Sequence, residues 1–512
     1  MDKIHADVVI IGAGLSGLAA GYRLLEQHDS LKIVVLEAKD RIGGRIKTVQ
    51  LKSAGDFVDL WDVGGEWVGR AQVHLHTLLR KLNMDNFIRT ETGVITPIPW
   101  ATQLDLKFLM WKLKRLKILM EHHQKLNDSA TMNQLDEITV ENYITEQVWT
   151  SGSQSVIDSA CRCMFGLAPN EMSLLYFLMY IDSAGGLDKV AKPAEYSGKD
   201  YRVQGGLQKL ATNLVDKIGS VKVLLNQAVT NIVQNTEMVA VITSNRIQLS
   251  CRRVILALPP HQITSISFTP TLPQEQLTLL QSVPLGFLVK FAVTYEEAFW
   301  DGGNNGHFGF QNVLEDPKLG AVGIVYDATS SNGNPALAGF LSPVKDDQSN
   351  DEEYEERILV LLSCILGDPA RNYIDIAIKD WSKEPFNGGC FLKSLIPGTT
   401  NFLNQDLRKP FGRVHFAGTE TATVWCGFMN GAVQSGCRAA NEVLDNLYPQ
   451  SKKSKELELV CDGDRQDMNI IKSISIVVFG AGLISVAFLL LKSSRFSPSY
   501  TVPSTHIRLF YE

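Results

Sequence analysis

Short β-branched runs alternate with longer amphipathic stretches at both ends of the first 260 residues, the pattern of a parallel α/β sheet. Asp7-Val8-Val9-Ile10-Ile11 reads as a strand buried on both faces. A helical stretch over 18–25 follows, then a second buried strand at Ile33-Val34-Val35-Leu36. Further strands are expected at 221–225, 229–233, 238–243 and 253–258, the last stopped by Pro259-Pro260. They read as the return of the same sheet after a mostly helical insertion that continues to about residue 180. Inside it, residues 104–125 place leucines and methionines three and four apart, predicting a helix with a core-facing apolar stripe and a lysine-rich face that is read as solvated, with contact to anionic lipid as the alternative. A second strand group is expected from Leu285, where period two puts Leu288, Lys290, Ala292 and Thr294 on one face. By pattern alone, Lys290 there means an exposed face or a snorkelling side chain. A strand from Val414 runs into a glycine turn, and a helix is expected over 432–447.

The chemistry sits where strand meets helix. Gly12-Ala13-Gly14-Leu15-Ser16-Gly17 follows the first strand, and Glu37 ends the second. In this setting Gly12 allows a tight turn, Gly14 lets backbone approach a pyrophosphate, and Gly17 lets helix and strand pack closely. The helix N-terminus offers N–H groups to phosphates, and Glu37 can accept from ribose hydroxyls. Arg41-Ile42-Gly43-Gly44-Arg45 adds a cationic backbone surface that a nicotinamide site does not require. The glycine pair in Trp61-Asp62-Val63-Gly64-Gly65-Glu66 reads by itself as a turn. Cys390 follows two glycines and can be approached closely, although a lone cysteine is as readily a structural thiol.

The length of 512 residues allows about three domain-sized units. With 49 basic and 55 acidic residues the net charge is −6, which does not advertise nucleic-acid binding. Eight cysteines without a C-x-x-C pair suggest neither a disulfide framework nor a zinc site, and no metal site is expected. The first strand starts by Asp7, leaving no room for an N-terminal signal. Residues 473–491 carry no charge and would span about 28 Å as a helix, close to a hydrocarbon core. Lys472, Lys492 and Arg495 bracket them as interfacial anchors would, and a charged linker precedes them.

Together these stretches, over roughly residues 5–450, resemble the flavin amine oxidases, and monoamine oxidases in particular. The R-x-G-G-R run ending at Arg45, the D-x-G-G segment with Gly64 and Gly65, and the segment Phe416-Ala417-Gly418-Thr419-Glu420-Thr421-Ala422 followed by Trp425-Cys426-Gly427-Phe428-Met429-Asn430-Gly431-Ala432 carry the likeness. So does Trp381-Ser382-Lys383-Glu384-Pro385-Phe386-Asn387-Gly388-Gly389-Cys390-Phe391. The resemblance implies FAD, bound covalently through Cys390, with Gly12, Gly14, Gly17, Glu37, Arg45, Gly64, Gly65, Val229, Trp381, Glu420 and Met429 as further cofactor contacts. It makes Lys290 the flavin-facing lysine that assists reaction with oxygen. Phe391 and Phe428 stand where monoamine oxidases carry two tyrosines flanking the amine, and Lys199 stands where they carry a glutamine.

The implied fold is α/β: a discontinuous Rossmann-like FAD-binding domain (1–80, 205–285, 390–450), an α+β substrate domain (81–204, 286–389), a linker (451–472), a transmembrane tail anchor (473–491) and a short tail (492–512). The implied reaction is oxidative deamination of a primary or secondary amine, with O2 reduced to hydrogen peroxide. Polyamine or amino-acid oxidation is the alternative within the family, and a weakly active FAD-binding membrane scaffold the alternative outside it. A homodimer on the cytosolic face of the mitochondrial outer membrane is implied, with the endoplasmic reticulum as the other membrane.

Overall fold

The structure is a computed structural model that describes residues 4–89, 99–125, 129–165, 167–186, 201–282, 286, 288–300, 309–311, 315–316, 320–341, 349–389 and 407–449. All lie in the compact unit Met1–Pro449. Cys390, Phe391, Lys199 and the apolar stretch 473–491 fall outside them. Among the described residues no helix is long and apolar enough to cross a membrane.

β1 (Ile4–Ile11), α1 (Leu15–Gln27) and β2 (Ile33–Leu36) form the opening unit, with β1 and β2 parallel. The hairpin β3 (Thr48–Lys52)–β4 (Val58–Asp62) follows, then β5 (Trp67–Val68), α2 (Val73–Lys81) and β6 (Phe87–Arg89). The insertion holds α3 (Trp100–Lys125), α4 (Ser129–Glu137), α5 (Val140–Gln147), α6 (Ser151–Phe165) and α7 (Leu174–Ser183). β7 (Tyr201–Val203) returns the chain by pairing between β5 and β6. Beyond it lie α8 (Gln208–Ile218), β8 (Val223–Leu224), β9 (Val229–Gln234), β10 (Val239–Thr243), β11 (Gln248–Leu256) and β12 (Ser267–Thr269).

The first sheet runs β12-β9-β10-β11-β1-β2-β8, and β19 (Val414–Phe416) adds alongside β11. Chain from three separate stretches thus builds one sheet, with parallel pairing through β19, β11, β1, β2 and β8. Alternate residues of β1 feed two cores, because a strand points successive side chains to opposite faces. Val8 and Ile10 pack with Leu18 and Leu24 of α1 and with Ala439 and Val443 of the last helix, α11 (Met429–Leu447). Val9 and Ile11 join Leu256, Phe416 and the insertion helices. The expected strand at 221–225 is shortened to β8, because Ser220–Lys222 forms a tight 3-10 turn.

The second sheet is antiparallel, with β13 (Val289–Thr294) between β17 (Ala336–Leu341) and β18 (Asp375–Asp380). β14 (Gly309–Gln311), β15 (Glu315–Asp316) and β16 (Gly320–Asp327) complete it beyond β17. The pattern-based exposed or snorkelling Lys290 fails here. β13 is central and every residue in it is buried, so neither face reaches water. Phe291 and Val293 pack on Tyr354 and Ile358 of α10 (Asp351–Leu366), α9 (Gln274–Gln281) lying between the sheets in sequence. Ala292 packs on the β3–β4 hairpin through Leu51 and Trp61.

The predicted core-facing stripe of α3 is half right. Leu109, Leu113 and Met120 are buried, but Leu104, Phe108, Trp111 and Ile118 face outward. The helix carries apolar residues on two opposite sides, and only one side has the insertion to pack against.

Candidate functional site

The turn after β1 is shaped by backbone crowding. Gly12 has φ +102°, and a Cβ there would lie 2.6 Å from the carbonyl of Ala257 on the neighbouring strand's extension. Gly14 caps α1 without a side-chain hydrogen bond, so the first-turn N–H groups are left to an incoming anion. Gly44 crosses so near Gly14 that a Cβ on Gly44 would stand 3.1 Å from Gly14 Cα. Gly17 is locked against the turn, its Cβ position 1.9 Å from the Gly12 carbonyl. Glu37, at the end of β2, accepts from Ala13 N at 2.7 Å and Lys39 N at 3.0 Å, which fixes its carboxylate beside the turn. Gln227 N donates to the Glu37 carbonyl at 2.7 Å, bringing the start of β9 and half-buried Val229 to the same edge.

The D-x-G-G segment lies between this cradle and the second sheet. A Cβ on Gly64 would stand 2.4 Å from the Arg45 carbonyl and 3.1 Å from the Trp381 ring; one on Gly65 would stand 2.8 Å from Met429 Sδ. Trp381 is fully buried and donates from Nε1 to the Val63 carbonyl at 2.9 Å. Arg45 and Glu420 form an ion pair at 2.7 Å, joining the R-x-G-G-R turn to the 3-10 turn Thr419–Thr421. Phe428 caps α11, its ring 5.6 Å from Tyr180 and 5.0 Å from Trp425. Burial pushes the Tyr180 phenol well up, so it stays neutral.

Lys290 is brought to the same segment from the other sheet. It is 1% exposed, and Nζ donates to Glu66 Oε2 at 2.6 Å and to the Gly64 carbonyl at 2.9 Å. The ammonium also lies 4.7 Å from the Trp67 ring and 5.7 Å from Phe340, with Tyr326 stacked obliquely on Trp67 at 4.7 Å. Arg202 Nη1 lies 3.9 Å from the other Glu66 oxygen. Asp62 completes the cluster. Burial and the Glu66 charge push its carboxyl up to about 7, against the pull of the Thr48 hydroxyl, Lys290 and Leu207 N.

These pieces match known proteins along nearly their whole length. The model of the flavin containing amine oxidoreductase family matches residues 15–444. The chain is 31% identical to flavin-containing amine oxidase A of Canis lupus familiaris over 469 residues, 87% of this chain and 86% of that protein. Flavin-containing amine oxidase B of Bos taurus is 31% identical over 463 residues, 86% of each chain. Among solved structures, putrescine oxidase bound to putrescine superposes with a TM-score of 0.75 at 26% identity, covering 86% of this chain and 100% of that one. Cyclohexylamine oxidase from Brevibacterium oxydans gives 0.75 at 27%, covering 86% and 99%.

The chain belongs to the flavin-containing amine oxidoreductases.

The family implies FAD, and the residues of this flavin amine oxidase fit it. The uncapped α1 start facing Gly44 is a backbone cradle for a pyrophosphate. Buried polar atoms also stand without a hydrogen-bond partner among the described residues beside it: Glu420 Oε2, Asn387 Nδ2 and His261 Nδ1. No His/Cys/Asp/Glu cluster able to hold a metal occurs among the described residues.

Sequence reasoning missed two parts of the amine oxidase site. Glu384 is nearly buried under three cations: Arg41 Nη2 at 2.5 Å, Lys39 Nζ at 3.1 Å, and Lys379. Burial pushes its carboxyl up, but the hydrogen bonds from Lys379 and Arg41 prevail and bring it down to about 2. This clamp ties the turn ahead of Cys390 to the R-x-G-G-R run. Its signal was present as Glu384-Pro385, but two of the three cations, Lys39 and Arg41, come from a distant stretch. Glu66 was likewise visible only as the residue after two glycines; its partner lies 224 positions away.

Proposed function

We propose that this flavin amine oxidase deaminates a small, uncharged primary amine held against an aromatic wall, with Lys290 serving the oxygen half of the cycle and Cys390 carrying FAD covalently. Held by the Gly12–Gly17 turn, Glu37 and the facing Gly44, FAD would supply an acceptor for a hydride equivalent from the amine α-carbon and a donor of the same two electrons to O2; the products would be hydrogen peroxide and an imine that water hydrolyses to aldehyde and ammonia. The chain's own residues bind, orient and exclude water. Trp67 and Phe340 set their rings against the Lys290 ammonium, Tyr326 packs on Trp67, and Phe428 presents a further face backed by Tyr180. The observation that carries this reading is the buried Lys290 ammonium, fixed by Gly64 and Glu66 on the segment wedged between Arg45, Trp381 and Met429.

Such a lysine favours reduction of O2, where negative charge develops. Lys290→Met should therefore slow reoxidation of the reduced protein by O2 at least tenfold in stopped flow, while anaerobic reduction by amine changes little. Equal effects on both halves would refute the assignment. The Glu384 clamp supports Cys390 as the attachment point, because it pins the preceding turn near the cofactor cradle. Acid precipitation should leave the yellow colour on the peptide containing Cys390.

A diamine is the second reading. A cleft of about 190 Å³ is lined by Asp59, Asp62 and Glu66 together with Arg202, Ser330, Ser331 and Asn332; Lys290 and Arg202 already face Glu66, so Asp59 is the acid that would meet a distal ammonium. Peroxide release from matched monoamines and diamines decides between the two. Residues 473–491 are proposed to span a membrane, the mitochondrial outer membrane by resemblance. Retention in the pellet after alkaline carbonate extraction, with co-fractionation of outer-membrane markers, tests this.

A further inference from the structure

Lys290 has few ways to exchange a proton. Its side chain is 1% exposed, so bulk water does not reach Nζ directly. Its neighbours are the Gly64 carbonyl at 2.9 Å, the rings of Trp67 and Phe340, and Glu66 Oε2 at 2.6 Å. A backbone carbonyl and ring faces do not carry a proton; a carboxylate does. Lys379, the register partner of Lys290 on β18, is turned to Glu384 instead. Among the described residues, Glu66 is therefore the proton-carrying group in contact with Nζ.

Glu66 also has a way out. It lines the cleft of about 190 Å³ together with Asp62, Arg202, Ser330 and Asn332. While Oε2 is bonded to Lys290, Oε1 stands 3.9 Å from Arg202 Nη1, a gap of the kind that water bridges. Asp62 is a second acid on the same cleft, accepting from the Thr48 hydroxyl at 2.5 Å and from Leu207 N at 3.1 Å. Burial and the Glu66 charge hold its carboxyl at about 7, so it gains and loses a proton near neutral pH. The third acid there, Asp59, accepts from the side-chain amides of Asn332 and Asn334. A mere counter-ion for Lys290 would need neither the opening nor the second acid.

We propose that Asp62 and Glu66 form a proton relay from this cleft to Lys290, recharging the lysine in each reduction of O2. The inference rests on Lys290 acting in the oxygen half of the cycle. Reduction of O2 to hydrogen peroxide takes two electrons and two protons. Both electrons and one proton come from the hydride equivalent that the amine gave up, and the other proton comes from solvent. An N–H bond of the Lys290 ammonium breaks as an O–H bond of the peroxide forms. Glu66 takes up a proton from Asp62 through the cleft and passes it to Nζ, which had been left a neutral amine. Asp62 refills from cleft water, so the ion pair ends as it began and one solvent proton has been consumed.

Stopped-flow reoxidation of the holoenzyme by O2, followed apart from anaerobic reduction by amine, tests the relay. In the wild type the reoxidation rate should fall as pH rises through about 7, where Asp62 loses its proton. Asp62→Asn should lose that inflection and stay at the slower, high-pH level. Glu66→Gln keeps an acceptor for Nζ but carries no proton. It should slow reoxidation at least about tenfold and change reduction by amine less than about twofold. Infrared absorption of the resting protein gives a readout independent of turnover: a protonated-carboxyl band should titrate at about pH 7 and be missing from Asp62→Asn. A wild-type pH profile in both variants overturns the relay even where Lys290→Met slows reoxidation, because Glu66 is then only a counter-ion. Reoxidation that ignores Lys290→Met removes the lysine from the oxygen half, and the relay falls with it. Should Glu66→Gln fail to fold, the pH profile and the infrared band of Asp62→Asn decide alone.

Discussion

Replacing Glu66 by glutamine removes one charge from a pair in which both partners are almost fully buried, while keeping the side chain's size. Lys290 would keep the Gly64 carbonyl and the Trp67 ring face but lose its counter-charge at 2.6 Å. Arg202, 3.9 Å from the same carboxylate, would lose it too. Breaking a buried pair from one side costs about 3–5 kcal/mol, because an uncompensated charge is left behind. At about 2.1 cal/mol/K per residue, a unit the size of Met1–Pro449 has an unfolding entropy near 0.9 kcal/mol/K, so the midpoint should fall about 3–5 °C. Lys290→Met should cost a similar amount. The double variant should recover about 2 kcal/mol of the summed losses, because the two groups contact each other. Denaturant unfolding of the four proteins closes the cycle. Losses that add to within about 0.5 kcal/mol would refute the coupling, and with it the view that Glu66 holds the lysine in place.

The remaining expectations test neighbouring groups. Asp62 is raised from its ordinary 3.8 to about 7, so its contribution to stability is complete below pH 4 and lost as pH rises through 7. The loss amounts to at most about 4 kcal/mol, and Asp62→Asn should flatten that part of the stability–pH curve. Glu384 is depressed to about 2, so its contribution is complete above pH 4.5 and lost as pH falls through 2. Glu384→Gln should cost about 2 kcal/mol at pH 7 after solvent screening is allowed for, and should speed proteolysis near residues 381–389. Gly64→Ala drives a methyl group to 2.4 Å from the Arg45 carbonyl, and should lower the ratio of flavin to protein absorbance more than tenfold at equal expression.

Local pattern sufficed for the opening unit, because each part of it is set by neighbours in the chain. The apolar run Val8–Ile11 of β1, the glycines at Gly12, Gly14 and Gly17, the uncapped α1 and Glu37 after β2 are read within about 30 residues and found in place. The same holds for the turn into α11, where the run through Glu420 and Met429 is continuous.

What the sequence left to the tertiary structure was the pairing of groups far apart in the chain. Whether Lys290 lies in water or in a core depends on β13 having a neighbour on each side and a layer on each face, which period two does not encode. The clamp on Glu384 and the lysine's partner Glu66 join residues separated by more than 200 positions, except for Lys379. α3 shows the limit most plainly. Its sequence displays apolar residues on two sides, and only the packing of the insertion decides that Leu109, Leu113 and Met120 go inward and that Trp100, Phe108 and Trp111 remain outside. Periodicity describes what a helix could bury; the number of neighbours available determines what it does bury.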